Sequence, residues 1–227
     1  MEDGKQMINV LYEDNHILVV EKPVNIPVQE DSSKDEDLLT ILKSYIKEKY
    51  SKPGNVYLGL VHRLDRPVGG VMLFAKTSKA ASRLSDSFKK NEVRKEYYAV
   101  VLGVPPLEGK LIDNITKDEK RNMSFVDKNG KYAELDYKVI KTISEMSLLN
   151  VSLVTGRSHQ IRVQFSSRGY PLYGDQKYNE NKKKDSIALY SKRLSFTHPV
   201  TKQDMSFELD IPDKYPFNLF RDNYVNK

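Results

Sequence analysis

From Glu96 onward, five segments carry β-branched and aromatic residues in partial alternation: EYYAVVLGV (96–104), AELDYKVIKT (133–142), EMSLLNVSLVT (145–155), IALYSKRLSFTH (187–198) and MSFELDIP (205–212). Successive side chains of a strand point to opposite faces, so this patterning predicts a sheet. Two further apolar runs read as strands: ILVVE (17–21), which Lys22-Pro23 turns into a loop, and VMLFAK (71–76), which reads as buried. Helical periodicity occurs in three places. Leu38, Leu39, Ile41, Leu42, Tyr45 and Ile46 line one face of a helix to about Tyr50, behind the acids Asp35, Glu36 and Asp37 at the positive end of its dipole. SKAASRLSDSFKK (78–90) predicts an amphipathic helix with Ser78 as its N-cap, and RSHQIRVQFSSR (157–168) a third helix with Ile161 and Phe165 four apart. The fold class expected is α+β, with a mixed, mostly antiparallel central sheet flanked by helices and loops.

At 227 residues the chain is long enough for one sizeable core, and a single domain over 1–227 is expected. No apolar run approaches the roughly 20 residues of a membrane span, and the first residues lack the pattern of a secretory signal. Cysteine is absent, which excludes disulfides and thiolate metal sites. A cytoplasmic protein with no membrane partner is the expectation, its assembly state open with a monomer favoured. The net charge of +6 and pI near 9.1 suggest an anionic partner without identifying it. The lysine run NKKKD (181–185) reads as a solvated surface.

The chemistry concentrates around Asp65. Within VHRLDRPVGG (61–70) it stands between Arg63 and Arg66, and it is the one acid between Glu48 and Asp86. Flanking guanidinium groups favour the ionised carboxylate, suited to nucleophilic attack or to stabilising a cation rather than to donating a proton. An ordinary surface ion pair is the alternative. A second oddity is the stretch from Met146 to Gly174, which holds Arg157, His159, Arg162 and Arg168 but no acid. Unpaired charge is costly unless solvated or used. Phosphate or a distant carboxylate such as Asp65 would relieve it; a basic helix facing water is the other reading. The four histidines show no ligand spacing, so a catalytic metal is not expected. There is no P-loop or GxGxxG, Gly69-Gly70 reads as a pair of turn residues, no second carboxylate marks a glycosidase, and no GxSxG elbow positions a Ser-His-Asp triad.

Three blocks in order along the chain resemble the RluA-type RNA pseudouridine synthases: HRLDRPVGGVMLFAK (62–76), KEYYAVVLG (95–103) and GRSHQIRVQFSSRGYPLYGD (156–175). LYEDNHILVVEKPVNIPV near the start resembles the family's opening strand and Lys-Pro turn. The resemblance implies the pseudouridine synthase fold and isomerisation of a uridine in structured rRNA or tRNA, on a flipped-out base, with no metal or organic cofactor. It makes Asp65 the catalytic aspartate, by covalent attack or by assisting a glycal-type intermediate. Tyr97 becomes the residue packing on the extruded base, with Tyr98 on the opposite face of the strand, and Arg162 the basic partner of Asp65. Arg63, Arg157, His159 and Arg168 are implied RNA contacts. The chain departs from the family pattern at Val68-Gly69, where two hydroxyl residues are usual, and no separate S4-type RNA-binding domain is expected. Two alternatives stand beside this: a non-catalytic RNA-binding protein retaining the fold, against which intact Asp65, Tyr97 and Arg162 argue, and a hydrolase of small nucleosides or glycosides.

Overall fold

The computed structural model describes residues 8–31, 33–180 and 185–221. Its fold is α+β, with mostly antiparallel strands, three α-helices and a short 3-10 helix. The residues gather into two compact units. One holds the chain up to Val93 together with Ser195–Phe207, the other Arg94–Leu194 together with the residues from Glu208 onward. The lysine run at 181–185 lies, except for Asp185, outside the described residues.

The first unit contains β1 (Asn9–Glu13), β2 (Ile17–Lys22), α1 (Leu38–Lys49), β3 (Gly59–Leu60), β4 (Gly69–Ala75) and α2 (Ser78–Lys89). Its strands lie in the order β1-β2-β4, with β3 also pairing with β4. Asp14 closes the β1–β2 turn by accepting the backbone N–H groups of His16 at 2.7 Å and Ile17 at 2.8 Å. Leu18, Val20, Met72 and Phe74 share a core with Leu38, Leu42 and Ile46, so the helical stripe read from sequence is a packing face. Asp37 caps α1, its carboxylate accepting Thr40 N–H at 3.1 Å. The cap of α2 is Thr77, one residue earlier than expected: Thr77 has an extended backbone and its hydroxyl accepts Ala80 N–H at 3.2 Å, which leaves Ser78 as the first helical residue. The glycine pair also falls differently. Val68 N–H closes a turn on the Asp65 carbonyl at 2.9 Å, and Gly69-Gly70 already begin β4 opposite Lys22. Gly70 has φ of +114°, a conformation only glycine adopts without strain.

The second unit contains β5 (Arg94–Leu102), β6 (Glu108–Asp118), β7 (Met123–Val126), β8 (Lys131–Ile143), β9 (Met146–Leu153), α3 (Gln160–Ser166) and most of β10 (Leu189–Thr197). They follow the order β10-β5-β9-β8-β6-β7. The end of β10 belongs to the first unit, where β11 (Asp204–Glu208) pairs with it. Tyr97, Val151 and Tyr137 stand directly opposite one another on β5, β9 and β8, so they form one row on one face. Phe165 of α3 sets its ring against Tyr137 at 5.2 Å, which lays α3 over that face. The other face carries Tyr98, Val100 and Leu148 against Tyr190, Ile211, Phe217 and Phe220. Tyr97 and Tyr98 thus part to opposite sides, as the strand period requires.

The third helix is shorter than the periodicity predicts, Gln160–Ser166 in place of 157–168. His159 at its N-cap has φ of +53°, and the side-chain carbonyl of Gln160 accepts both Arg157 N–H at 2.9 Å and the Thr155 hydroxyl at 2.8 Å. Those bonds make 155–159 a turn. Arg157 therefore stands outside the helix and does not oppose its dipole.

Candidate active site

The turn bearing Asp65 is built around a buried lysine. Lys22 ends β2 with no exposed surface, and its ammonium donates to the carbonyls of Pro23 at 2.9 Å, Arg66 at 3.0 Å and Val68 at 2.9 Å. An ammonium has three N–H donors, so its capacity is filled, and two of the three acceptors lie within the three residues after Asp65. Burial pushes Lys22 down to about 8, against the pull of the Asp65 charge and with the push of Arg66. Leu64 and Val68, both buried, anchor the turn on either side while Asp65 itself is half-buried. Val68 occupies a family hydroxyl position and contributes apolar anchoring there, while its backbone supplies both N–H and carbonyl to the turn.

The two arginines beside Asp65 have different situations. Arg66 turns to the segment before α1: its Nε donates to the Asn25 carbonyl at 3.1 Å and its guanidinium pairs with Asp35, with Asp31 at 3.9 Å. Asn25 N–H returns a bond to the Arg66 carbonyl at 2.9 Å, so this side of the turn is tied twice. Arg63 is exposed. His62 accepts Leu73 N–H on Nε2 at 3.0 Å and stacks on Phe88 at 4.6 Å, which docks the start of the motif on β4 and α2. Because Nε2 is an acceptor, it carries no proton in this arrangement.

In the second unit the acid-poor stretch finds its carboxylates elsewhere in the chain. Arg162, 4% exposed, forms a two-pronged pair with Asp175: Nε at 2.8 Å and Nη2 at 2.7 Å. Burial pushes the Asp175 carboxyl up, but the bonds and charge of Arg162 and the N–H groups of Lys177 and Tyr178 outweigh it and hold the pKa below the usual range. Arg162 also lies over the Tyr178 ring at 5.1 Å. The Tyr178 hydroxyl accepts Ser124 N–H at 2.6 Å and shares a hydrogen bond with Nδ1 of His159 at 2.7 Å. His159 is 9% exposed, and that bond ties it to Tyr178. Arg168 pairs with Asp113 at 2.9 Å, and Gln164 bonds the same carboxylate at 2.7 Å. Arg157 is exposed; its Nε donates to the Tyr132 carbonyl at 2.8 Å.

Of the residues predicted from sequence, the second unit brings Tyr97 and Arg162 to the α3 side of its sheet, with Arg157 in the turn before α3. Asp65 and Arg63 lie in the first unit. The sequence reading missed Lys22, Asp175, Tyr178 and Asp113. Asp175 carried a usable signal, as the first acid after a long acid-free stretch. Lys22 carried little, since before a proline it reads as a surface turn. Among the described residues no group of three or more His, Cys, Asp or Glu could hold a metal, and no helix is long and apolar enough to cross a membrane.

Residues 16–167 match the family model described as RNA pseudouridylate synthase. Similar curated proteins include ribosomal large subunit pseudouridine synthase D of Zymomonas mobilis, 32% identical over 220 residues, covering 90% of this chain and 69% of that protein. Ribosomal large subunit pseudouridine synthase C of Buchnera aphidicola is 30% identical over 230 residues, covering 96% and 69%. Among solved structures, Human RNA Pseudouridylate Synthase Domain Containing 4 superposes with a TM-score of 0.79 at 22% identity, covering 94% of this chain and 92% of that one. That likeness is one of fold.

Proposed function

Since the chain belongs to the RNA pseudouridylate synthase family, we propose that it isomerises a specific uridine of a structured ribosomal or transfer RNA, with Asp65, Tyr97 and Arg162 acting on one extruded nucleotide. Taking a base out of the stack costs a few kcal/mol, which phosphate and stacking contacts offset. The N1–C1′ bond breaks, the uracil turns, C5 bonds to C1′, and the proton lost from C5 is balanced by one gained at N1. No electron changes hands, so no cofactor is required. Asp65 serves this chemistry as nucleophile on C1′ or as the base leading to a glycal. Tyr97 supplies a ring on which the uracil packs, and Arg162, fixed from behind by Asp175, supplies a guanidinium whose orientation does not depend on solvent. Arg63, Arg157 and Arg168 are proposed contacts to the RNA backbone, with His159 supporting them through Tyr178.

The observation that carries this reading is the Asp65 turn, a carboxylate held half-buried on a backbone clamped by a fully buried ammonium. Replacing Asp65 with Ala tests it, with pseudouridine mapped in large-subunit rRNA and tRNA from cells with and without each form. Loss of modification with RNA affinity retained is the expected result. Retained modification would overturn the role of Asp65. A protein that modifies no RNA but hydrolyses free uridine, indifferent to RNA, would replace the proposal with the hydrolase, and RNA binding without any chemistry would replace it with the non-catalytic binder.

A further inference from the structure

Lys95 opens β5 two residues before Tyr97, and the strand period puts both on the same face about 7 Å apart. It is 9% exposed, yet among the described residues no hydrogen bond or ion pair holds its ammonium. The charge that acts on it is that of another cation, Arg157. Its Nζ lies over the turn before α3, 3.6 Å from where a Cβ on Gly156 would stand. That turn is locked: Gln160, 2% exposed, accepts from Thr155 and from Arg157 N–H and donates to the Glu134 carbonyl at 3.0 Å, while Arg157 Nε is fixed on Tyr132.

Nearby acids are already committed. Glu96 points to the opposite face, where it meets Arg193 at 3.1 Å and Lys192 at 3.8 Å. Glu134 is bound by Lys110 at 2.5 Å and by the Tyr132 hydroxyl. A lysine buried along most of its length beside a like charge, with no counterion among the described residues, is unfavourable for folding alone, and such placement is kept where an anion is to be bound.

We propose, resting on the function inferred above, that Lys95 and Arg157 form a phosphate site for the RNA strand, one nucleotide linkage from the base packed on Tyr97. The pair acts as a fixed electrostatic clamp that sets which nucleotide reaches Tyr97. Burial and the Arg157 charge together hold the Lys95 pKa below the usual lysine range, a penalty that the negative charge of a phosphodiester would relieve.

The test uses the full chain and a stem-loop RNA carrying its mapped target uridine, with equilibrium binding measured between about 50 and 200 mM salt. Lys95→Met should lower the slope of log affinity against log salt by about 0.7–0.9, the release expected for one phosphate contact, and Lys95→Arg should restore it. Arg157→Gln should produce a similar loss. A methylphosphonate at the phosphate flanking the target uridine should weaken binding to the wild-type chain and be silent with Lys95→Met. The thermal midpoint of Lys95→Met should stay level or rise, because a partly desolvated cation under the influence of a like charge is removed. An unchanged salt slope, or a fall in thermal midpoint with binding per folded molecule intact, overturns the phosphate site. The two proposals separate cleanly: a wild-type chain that makes no pseudouridine removes the proposed function, whereas a wild-type chain that makes it while Lys95→Met keeps the full slope removes only the clamp.

Discussion

Lys22 shows how one buried side chain can organise the turn that carries Asp65. Its three acceptors are carbonyls on either side of the β2–β4 pairing, so removing the ammonium leaves the carbonyls of Arg66, Val68 and Pro23 short of a donor, that of Val68 in a buried bond. The Arg66 carbonyl keeps Asn25 N–H, and the other two have no such replacement among the bonds described. For Lys22→Met we expect a loss of about 2–4 kcal/mol in urea unfolding, from carbonyls left without their donor. At urea concentrations well below the new midpoint, single-turnover modification should fall while RNA affinity changes little, since Lys22 is fully buried and acts on the backbone that positions Asp65. Wild-type rates in folded Lys22→Met would show that the clamp is dispensable. The same residue marks a limit of legibility: lysine is almost never fully buried, so nothing in a Lys-Pro dipeptide announces one.

At the level of elements, α3 shows why a basic stretch misleads. In sequence it is a cationic helix lacking acids, whereas in the fold Asp175 and Asp113 supply the missing charges, from 13 and 55 residues away along the chain. The pairing of Arg162 with Asp175 is nearly solvent-free, so cutting one partner leaves a buried charge uncompensated. Asp175→Ala should cost about 3–5 kcal/mol in unfolding free energy, and Asp175→Asn less because it keeps one acceptor. If the pair exists to aim Arg162, Asp175→Asn should lower kcat more than it raises KM for RNA; equal wild-type kinetics would reduce Asp175 to a structural counterion. β8 was legible because Ala133, Leu135 and Tyr137 keep the alternation of one buried face, and β5 and β9 because their β-branched and aromatic runs mark a strand even where successive residues are buried. The hairpin of β6 and β7 was not, because only Leu111 and Ile115 are buried in the 11 residues of β6 and the rest reads as loop. Local caps shifted by a single residue for a simple reason: Thr77 and Ser78 are both competent caps, and only the backbone angle selects between them.

Taken over the molecule, the three blocks identified the family from sequence, while the supports behind them emerged from packing, because a hydrogen bond between residues far apart leaves no local pattern. Those supports set the response to pH. Burial pushes Glu13 up, yet hydrogen bonds from Lys49, Lys76, Tyr45 and Tyr50 overcome it and bring its pKa down to about 2. Burial likewise raises Asp14, Asp175 and Glu208, and each is carried below its ordinary value by stronger opposing contacts: backbone N–H groups and the charges of His198 and His16 for Asp14, Arg162 for Asp175, and Arg193 with Lys192 for Glu208. A carboxyl whose folded pKa lies below its unfolded one is protonated first in the unfolded chain, so stability from these groups is complete above an unfolded value of about 4 and is lost as pH falls through the folded values. Lys22 has the reverse sense. Its folded value of about 8 lies below that of an exposed lysine, so the unfolded chain holds the proton longer and this contribution favours folding increasingly as pH rises through that window. Urea midpoints should therefore hold level from about pH 5 to 7 and decline steadily from about pH 4.5 toward 2. Glu13→Gln should start from a lower midpoint at neutral pH, because it removes the charge that Lys49 and Lys76 share at 2.7 and 2.6 Å, and should decline less steeply in acid. A wild-type midpoint that stays constant from pH 5 to 3, or a Glu13→Gln curve parallel to it throughout, would mean that these paired carboxylates do not carry the acid response.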